Sequence, residues 1–362
     1  MIRNAIYNLR RLDWILMVAV FILFCLGLAA IYSIDLGKEQ GENFERQAIF
    51  GVLGFVLLMV FASINYSGWR VSARLIYAIT FILLIAVLFF GATIRGTRGW
   101  FNFFGLGIQP AELAKVVLIF ILAQFFSNRL QQFRIGKHIV FSFLVTLIYV
   151  IPVLGQPDFG SAAILLGIWF LLLLLTGIPK WYLVILVSII VLVLCLSWFF
   201  FLAPYQKERI ETFLNPTYDP LGSGYNVSQS IIGIGSGYLW GRGLGFGSQS
   251  QLKFIPESQT DFVFAVIAEE LGLVGVLLVL GLFGVIFYRL VFIARRAHDD
   301  FGLFLVLGIA IVLFLHVFIN IGMNMGVMPV TGISLPFLSY GGSFLLICLA
   351  MIGLAQSVAV RR

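Results

Sequence analysis

The sequence predicts an all-α, polytopic membrane protein with about ten transmembrane helices. Of its 362 residues, 61% are hydrophobic and 11% are charged, and the mean hydropathy is +1.07. Such a chain has too few polar side chains to cover the surface of a soluble globule. Apolar runs near the length that crosses a bilayer recur at 14–34, 47–64, 72–94, 109–127, 138–155, 158–176, 181–202, 261–288, 301–325 and 335–358.

Basic residues predict the orientation of these helices, because short cytoplasmic loops retain Lys and Arg. With both termini inside, most of the 23 Lys and Arg residues fall on inner segments, where 298–300 fits a solvated loop. The net charge of +7 then belongs mainly to the inner face and suits membrane lipid as a partner, whereas no basic patch indicates nucleic acid. Cys25, Cys195 and Cys348 are single, which predicts neither a disulfide framework nor a zinc site. We expect one integral membrane domain over 1–362 with cytoplasmic termini.

The fourth span opens with a polar motif, Gln109-Pro-Ala-Glu-Leu-Ala-Lys115. Pro110 suits the first turn of a helix. Glu112 and Lys115 are three residues apart, so they share a helical face and can pair within the membrane. Such a pair is either purely structural or part of a site, and the sequence leaves both interpretations open.

Two outer connections place further charge at the same level. Arg95 and Arg98 lie in a turn after the third span, and Asp158 lies in Gln156-Pro-Asp158 between the fifth and sixth spans. A pocket that mixes carboxylates with Arg and Lys favours an anionic, phosphate-bearing substrate over a simple cation.

The longest extramembrane segment, 203–260, is a large extracytoplasmic loop between helices 7 and 8. Its Asn-Pro, Asp-Pro and Gly-Ser-Gly steps specify turns, and most loops in compact folds are far shorter. We therefore expect an ordered loop with a function. Its stretch Gly241-Arg-Gly-Leu-Gly-Phe-Gly247 follows no strand and is a weak phosphate-binding motif. Tight turning against the membrane surface explains these glycines at least as well.

Asp261 ends this loop, just before an apolar run that also contains Glu269 and Glu270. A carboxylate at a span centre costs roughly 2.5 to 3.5 kcal/mol, so such residues usually line a cavity or a pathway. The alternative is a helix cap, because Asp suits the first helical turn. The run is too long for one crossing, and we expect Gly272 or Gly275 to break it.

The last outer segment is Pro329-Val-Thr-Gly-Ile-Ser-Leu-Pro336 followed by Phe337-Leu-Ser-Tyr-Gly-Gly-Ser343. Pro and Gly at this density break helices, which is tolerated at membrane depth only where protein or water satisfies the backbone. We therefore predict a cavity wall. Asn320 and Asn324, one turn apart, either face that cavity or bond between helices, and His316 is expected to be a satisfied interior residue.

Several of these segments together carry a resemblance to a known family. They are Gln109 to Lys115, Gln156-Pro-Asp-Phe-Gly160, Asn215 to Tyr225, Pro256 to Phe262 with Glu269-Glu-Leu-Gly272, and Pro329 to Ser343. With them, the chain resembles the SEDS family, which includes RodA, FtsW and SpoVE, over nearly its whole length. Segments Gln249 to Glu257 and Gly322 to Thr331 are more similar to the RodA, elongation branch. Ala111 stands where the motif often has Ser, but no charged motif residue is lost.

The resemblance implies a bacterial peptidoglycan glycosyltransferase, an inverting hexosyltransferase that polymerises lipid II on the outer face of the cytoplasmic membrane for cell elongation and shape. Asp261 matches the family's essential aspartate and is the candidate general base. A single-pass class B penicillin-binding protein is the implied partner. The candidate substrate-binding residues are Arg95, Arg98, Glu112, Lys115, Asp158, Arg209, Glu257, Ser339 and Tyr340.

The leaving diphosphate of such a reaction needs positive charge. Arg95, Arg98, Lys115 or Arg209 is expected to supply it, with or without Mg²⁺ or Mn²⁺. The sequence requires no other cofactor.

Other functions and branches of the family remain open. A lipid II flippase or transporter uses the same kind of charged cavity, although its site usually lies near the midplane of the membrane. A noncatalytic scaffold would leave the charges at the outer boundary unexplained. The division (FtsW-like) and sporulation branches remain alternatives to the elongation branch.

Overall fold

The computed structural model describes residues 11–36, 41–94, 96–103, 106–129, 135–200, 207, 211, 213, 223–252, 254–255 and 257–361. The elements before the large loop are α1 (Trp14–Leu36), α2 (Asn43–Ser63), α3 (Tyr66–Phe90), β1 (Ala92–Ile94), β2 (Thr97–Phe103), β3 (Leu106–Ile108), α4 (Pro110–Arg129), α5 (Ile135–Gly155), α6 (Phe159–Leu175) and α7 (Lys180–Phe200). The later elements are α8 (Ser223–Ser236), α9 (Ser248–Gln251), α10 (Val263–Arg295), α11 (Asp300–Asn324) and α12 (Gly342–Val360).

Each predicted span is a helix. In the part of the chain that the structure describes, eight helices are long and apolar enough to cross a membrane, namely α1 to α5 and α10 to α12. Helix α6 and the first half of α7 are shorter apolar helices. The predicted fold class, a polytopic helical membrane protein, is confirmed.

A small antiparallel sheet stands where the sequence predicted only a turn. Strand β2 pairs with β1 on one side and with β3 on the other. Gly96 has a φ of 79°, which suits the tight connection between β1 and β2. The prediction missed the sheet because its strands are short and follow an apolar span directly.

Helix α10 breaks at Gly272, as the length of its apolar run predicted. Gly272 has φ 64° and ψ −161°, which is outside the helical region. The glycine-rich segment 237–243, here called the re-entrant loop, lies against the break. The loop satisfies the backbone groups that the break frees, through the bonds Arg242 N to Glu269 O (3.0 Å), Gly243 N to Glu270 O (2.9 Å), Leu273 N to Tyr238 O (2.9 Å) and Val274 N to Leu239 O (3.2 Å). The glycines therefore allow backbone to approach backbone.

The side chains of Glu269 and Glu270 hold the chain that follows the re-entrant loop. Glu269 accepts hydrogen bonds from the backbone N–H groups of Gln249 (2.7 Å) and Ser250 (3.0 Å), at the start of α9. Glu270 is 1% exposed and accepts a hydrogen bond from the Ser33 hydroxyl on α1. Both carboxylates therefore have structural partners on neighbouring segments.

The end of the bundle at which α1 begins is held together by an ion pair between the buried Asp13 and the partly buried Arg289. Arg289 on α10 donates from Nε to both carboxylate oxygens of Asp13, at 3.0 and 3.1 Å. Gln356 on α12 holds the backbone of Asp13, accepting from its N–H at 2.9 Å and donating to its carbonyl at 3.0 Å. Helices α10 and α12 thus meet at the residue that precedes α1.

Replacing Asp13 with Asn is expected to destabilise the protein by about 3 kcal/mol, the low end for a buried pair, because it leaves the partly buried Arg289 guanidinium without a counter-charge. Combining it with Arg289→Met should recover most of the loss. Apparent melting temperatures in detergent measure both effects. Glu42→Gln, which breaks an exposed pair with Arg46, should leave the melting temperature unchanged, and an unchanged value for Asp13→Asn would contradict the role given to the pair.

The connection before α11, which the sequence analysis assigned to the inner side, is more ordered than predicted. Asp299 caps α11 by accepting a hydrogen bond from Gly302 N at 3.0 Å. Its carboxylate also accepts from the Tyr66 hydroxyl at 2.9 Å and lies 3.8 Å from Arg70. The prediction of a solvated loop over 298–300 is therefore wrong for Asp299, because its partners Tyr66 and Arg70 are remote in sequence.

Candidate active site

Asp261 lies just before the N-terminus of α10, in a turn whose backbone N–H groups converge on one carbonyl group. The backbone N–H groups of Thr260 (3.1 Å), Asp261 (3.1 Å) and Phe262 (3.3 Å) all point to the carbonyl oxygen of Glu257. Glu257 has a φ of 52°, a conformation that non-glycine residues adopt only when the surroundings hold it. Asp261 is partly exposed, and Phe262 rather than Asp261 occupies the N-cap position of α10.

Two buried amides on α11 hold the backbone of Asp261. The Nδ2 atoms of Asn320 and Asn324 each donate to the Asp261 carbonyl at 2.9 Å. Asn324 also accepts from Ala265 N at 3.2 Å, in the first turn of α10. Of the two roles predicted for these residues, bonding between segments is the one that these contacts show, and its target is the candidate base.

The loop from 325 to 341, called the α11–α12 loop, holds the same turn from another side. Ser339 is 2% exposed and donates from Oγ to the Thr260 carbonyl at 2.5 Å. Tyr340 donates from its backbone N–H to the Gln259 carbonyl at 2.8 Å. A Cβ atom added at Gly332 would lie 3.7 Å from Oδ2 of Asp261. The α11–α12 loop is therefore a wall beside Asp261.

Two polar residues that the sequence analysis missed complete this support. Asp35, at the end of α1, accepts from Gln259 Nε2 at 2.6 Å and from Phe44 N at 2.9 Å. Gln47 on α2 donates to the Ser339 carbonyl at 3.1 Å and accepts from Gly341 N at 3.2 Å. Both side chains are buried. Polar residues at span ends are common, and only their remote partners distinguish these two.

Glu112 and Lys115 form the predicted pair, and His316 joins it. Lys115 Nζ lies 2.7 Å from Glu112 Oε1 and 3.1 Å from His316 Nε2. Lys115 and His316 are 1% and 2% exposed. Lys115 is therefore enclosed by protein partners, whereas the sequence suggested a cation facing the substrate.

Asp158 caps a helix. Its Oδ1 atom accepts from Ser161 N at 2.9 Å, in the first turn of α6, and its Oδ2 atom accepts from Gln109 Nε2 at 2.9 Å. The same first turn of α6 lies against the α11–α12 loop, since a Cβ atom added at Gly160 would lie 3.1 Å from the Thr331 carbonyl oxygen. The helix that Asp158 caps therefore packs against the same loop that lies beside Asp261.

Of the remaining predicted site residues, the structure describes Arg98 and Glu257. Arg98 is exposed and donates to the Phe89 carbonyl at 2.8 Å and the Gly91 carbonyl at 3.2 Å, at the end of α3. Glu257 is exposed and accepts from the Thr260 hydroxyl at 3.2 Å. Arg95 and Arg209 lie outside the described residues.

No group of three or more His, Cys, Asp or Glu side chains within the described ranges has the geometry to hold a metal ion. The divalent cation therefore stays a prediction from the sequence.

Comparison with known proteins identifies the family. The FtsW/RodA/SpoVE family model, described as cell cycle protein, matches residues 10–362. The chain belongs to the FtsW/RodA/SpoVE family. The family predicted from the sequence is thus confirmed.

Family relatives match this chain over nearly their whole length. The peptidoglycan glycosyltransferase MrdB of Escherichia coli is 37% identical over 351 residues, covering 94% of this chain and 93% of the relative. Stage V sporulation protein E of Bacillus subtilis is 37% identical over 368 residues, covering 96% of each. A probable peptidoglycan glycosyltransferase FtsW from Geobacter is 34% identical, covering 96% of this chain and 97% of the relative. The predicted enzyme class, a peptidoglycan glycosyltransferase, is confirmed.

Solved structures agree with the family assignment. One is a chain of a peptidoglycan synthase complex described as coordinating polymerization and crosslinking, with a TM-score of 0.80, 33% identity, and coverage of 96% of this chain and 97% of that one. Another is the rod shape determining protein RodA of Thermus thermophilus, with a TM-score of 0.73, 30% identity and coverage of 96% of each chain. This chain is thus a multi-pass membrane protein of the family.

Proposed function

We propose that this protein polymerises lipid II into glycan strands at the outer face of the bacterial cytoplasmic membrane, with Asp261 as the general base. The observation that carries the proposal is the support around Asp261. Its backbone is held by Asn320 and Asn324, and its turn is held by Ser339. A partly exposed carboxylate on so constrained a backbone is preorganised for one position of its substrate.

The reaction joins a sugar hydroxyl to an anomeric carbon that carries a lipid diphosphate. As the new C–O bond forms, the hydroxyl proton passes to the Asp261 carboxylate, and the bond from the anomeric carbon to the diphosphate breaks with inversion. Positioned general bases typically contribute about 100-fold to 10,000-fold. The energy comes from the lipid diphosphate bond.

The leaving diphosphate needs cations near it. Lys115 is hydrogen-bonded to Glu112 and His316, whereas Arg98 is hydrogen-bonded to a backbone carbonyl at the end of α3. We therefore give these two cations different roles. The exposed Arg98 can turn toward an anionic substrate, whereas the enclosed Lys115 acts through its protein partners. Arg95 and Arg209 stay candidates for direct contact with the diphosphate.

We also propose a role in cell elongation beside a single-pass class B penicillin-binding protein, with both termini cytoplasmic. The solved relative from a peptidoglycan synthase complex supports such a partner. The excess of Lys and Arg on the segments assigned to the inner side supports the orientation.

Glycan formation from lipid II tests the proposal. We expect the purified protein with a class B partner to form polymer, and Asp261→Ala to form none while remaining folded. The flippase alternative is tested in vesicles that contain lipid II and the same protein, by measuring whether lipid II crosses the membrane. Protein-dependent crossing of lipid II without polymer would replace the enzyme with a transporter, and polymer from Asp261→Ala would overturn the assignment of the base.

A further inference from the structure

The buried cluster of Glu112, Lys115 and His316 has no direct part in the proposed chemistry. Burying ionisable groups inside a membrane protein nevertheless costs free energy. All three residues are buried, with Glu112 and Lys115 on α4 and His316 on α11. Ionisable groups enclosed in a membrane domain are rare and are commonly retained for function. The cluster is joined to the surroundings of Asp261 through His316.

The hydrogen bonds of the cluster have one consistent direction. A Lys ammonium group can only donate, so Lys115 donates to Glu112 Oε1 at 2.7 Å and to His316 Nε2 at 3.1 Å. His316 Nε2 is then the acceptor, and the ring proton is on Nδ1. Nδ1 lies 3.1 Å from the Ser334 carbonyl oxygen and donates to it.

Ser334 lies in the α11–α12 loop between two residues that bond toward Asp261. Ile333, on one side, accepts through its carbonyl from Asn320 Nδ2 at 2.7 Å, and the same amide donates to Asp261 O. Leu335, on the other side, donates from its N–H to Ser339 Oγ at 2.8 Å, and that hydroxyl holds Thr260. The His316 bond therefore holds the middle of the wall beside the candidate base.

We propose that His316 is a positioning residue for Asp261, and that Lys115 sets the His316 tautomer whose Nδ1–H group holds the α11–α12 loop. This inference rests on the proposed function, because it assigns the cluster to the support of the general base. The ammonium group of Lys115 then acts on catalysis through a ring and a loop, without touching the substrate.

Two substitutions at His316 separate its two hydrogen bonds. His316→Asn places an amide N–H near the position of Nδ1 and keeps the bond to Ser334. His316→Gln places its amide near Nε2, keeps an acceptor for Lys115 and loses the bond to Ser334. We expect His316→Gln to lower the kcat of glycan polymerisation about 10-fold to 100-fold with KM for lipid II within about twofold, and His316→Asn to retain more activity than His316→Gln.

A second variant tests the role of Lys115 without leaving an unpaired charge. Glu112→Gln combined with Lys115→Met removes both charges and the donor that selects the tautomer. Its kcat should fall by a factor similar to that of His316→Gln, and adding His316→Gln should cause little further loss, because both changes break one chain of bonds. Multiplicative losses would overturn the role of Lys115.

The controls distinguish positioning from general stability. Leu305→Ala changes a fully buried residue of α11, 11 positions and about 16 Å toward the inner end; it should lower the melting temperature and leave kcat unchanged. The His316 proposal fails if His316→Gln retains the wild-type kcat, if it matches His316→Asn, or if its kcat falls only in line with its melting temperature.

Asp261→Asn in the same assay tests the base separately. An active Asp261→Asn overturns the proposed base, whereas an inactive one beside a fully active His316→Gln overturns only this inference.

Discussion

Asp261→Asn is expected to reduce the kcat of glycan polymerisation by about 100-fold to 10,000-fold, which corresponds to about 3 to 5 kcal/mol of barrier. The amide has nearly the shape of the carboxylate, but it cannot accept the proton of the attacking hydroxyl. The backbone bonds from Asn320 and Asn324 end on the carbonyl of residue 261 and are not altered. The melting temperature should therefore stay close to that of the wild type.

The measurement is glycan formation from lipid II with the class B partner present, alongside a thermal unfolding scan. Glu42→Gln is the matched control, because Glu42 carries a carboxylate on an outer segment and its side chain is 67% exposed. It should polymerise at the wild-type rate. An Asp261→Asn protein that retains its activity would return Asp261 to a structural role, and one that melts early would leave the general-base assignment without support.

Gly272→Ala is expected to destabilise the protein by more than about 4 kcal/mol, a loss found at few positions. Residue 272 has φ 64° and ψ −161°, a combination that is essentially restricted to glycine. A Cβ atom there would also lie 2.3 Å from the backbone nitrogen of Gly241. The Gly241 nitrogen belongs to main chain that is held by the hydrogen bonds across the break in α10, so no flexible side chain can move away to make room.

Yield of monodisperse protein and apparent melting temperature measure this loss. Gly281→Ala is the matched control on the same helix, because a Cβ atom there meets nothing within 4 Å. It should be neutral or stabilising by up to about 1 kcal/mol, since Ala favours helix over Gly. A Gly272→Ala protein that melts with the wild type would show that the re-entrant loop can separate from α10 without loss.

Sequence reasoning predicts this fold well because a bilayer restricts the choices. Length and hydropathy identify the helices, and the length of the run after Asp261 predicts the break that occurs at Gly272. The segment that packs against the break was not predictable. The glycines of the re-entrant loop precede Gly272 by about 30 positions and have no helical or strand period. The sheet around β2 was missed for a different reason, because its strands are short and directly follow the apolar span of α3.

The candidate site was predictable in some of its components, but not in their arrangement. Spacing on one helix pairs Glu112 with Lys115, but the third member, His316, is 201 positions from Lys115. Asp35 and Gln47 were overlooked because polar residues at span ends usually face water. Their function follows from contacts with Gln259 and Ser339, more than 200 positions away in each case, which no local pattern encodes.

The support of Asp261 also affects how the protein is made. Ser339 holds Thr260 from 79 positions downstream, a stretch that a ribosome translates in about 4 to 16 seconds at typical rates of 5–20 residues per second. During that interval the nascent chain already contains Asp261, the proposed catalytic carboxylate, but not yet Ser339, which holds the preceding residue. The support of Asp261 can therefore be completed only near the end of translation. A chain that terminates before the α11–α12 loop would insert into the membrane with every acidic residue of the site and remain inert.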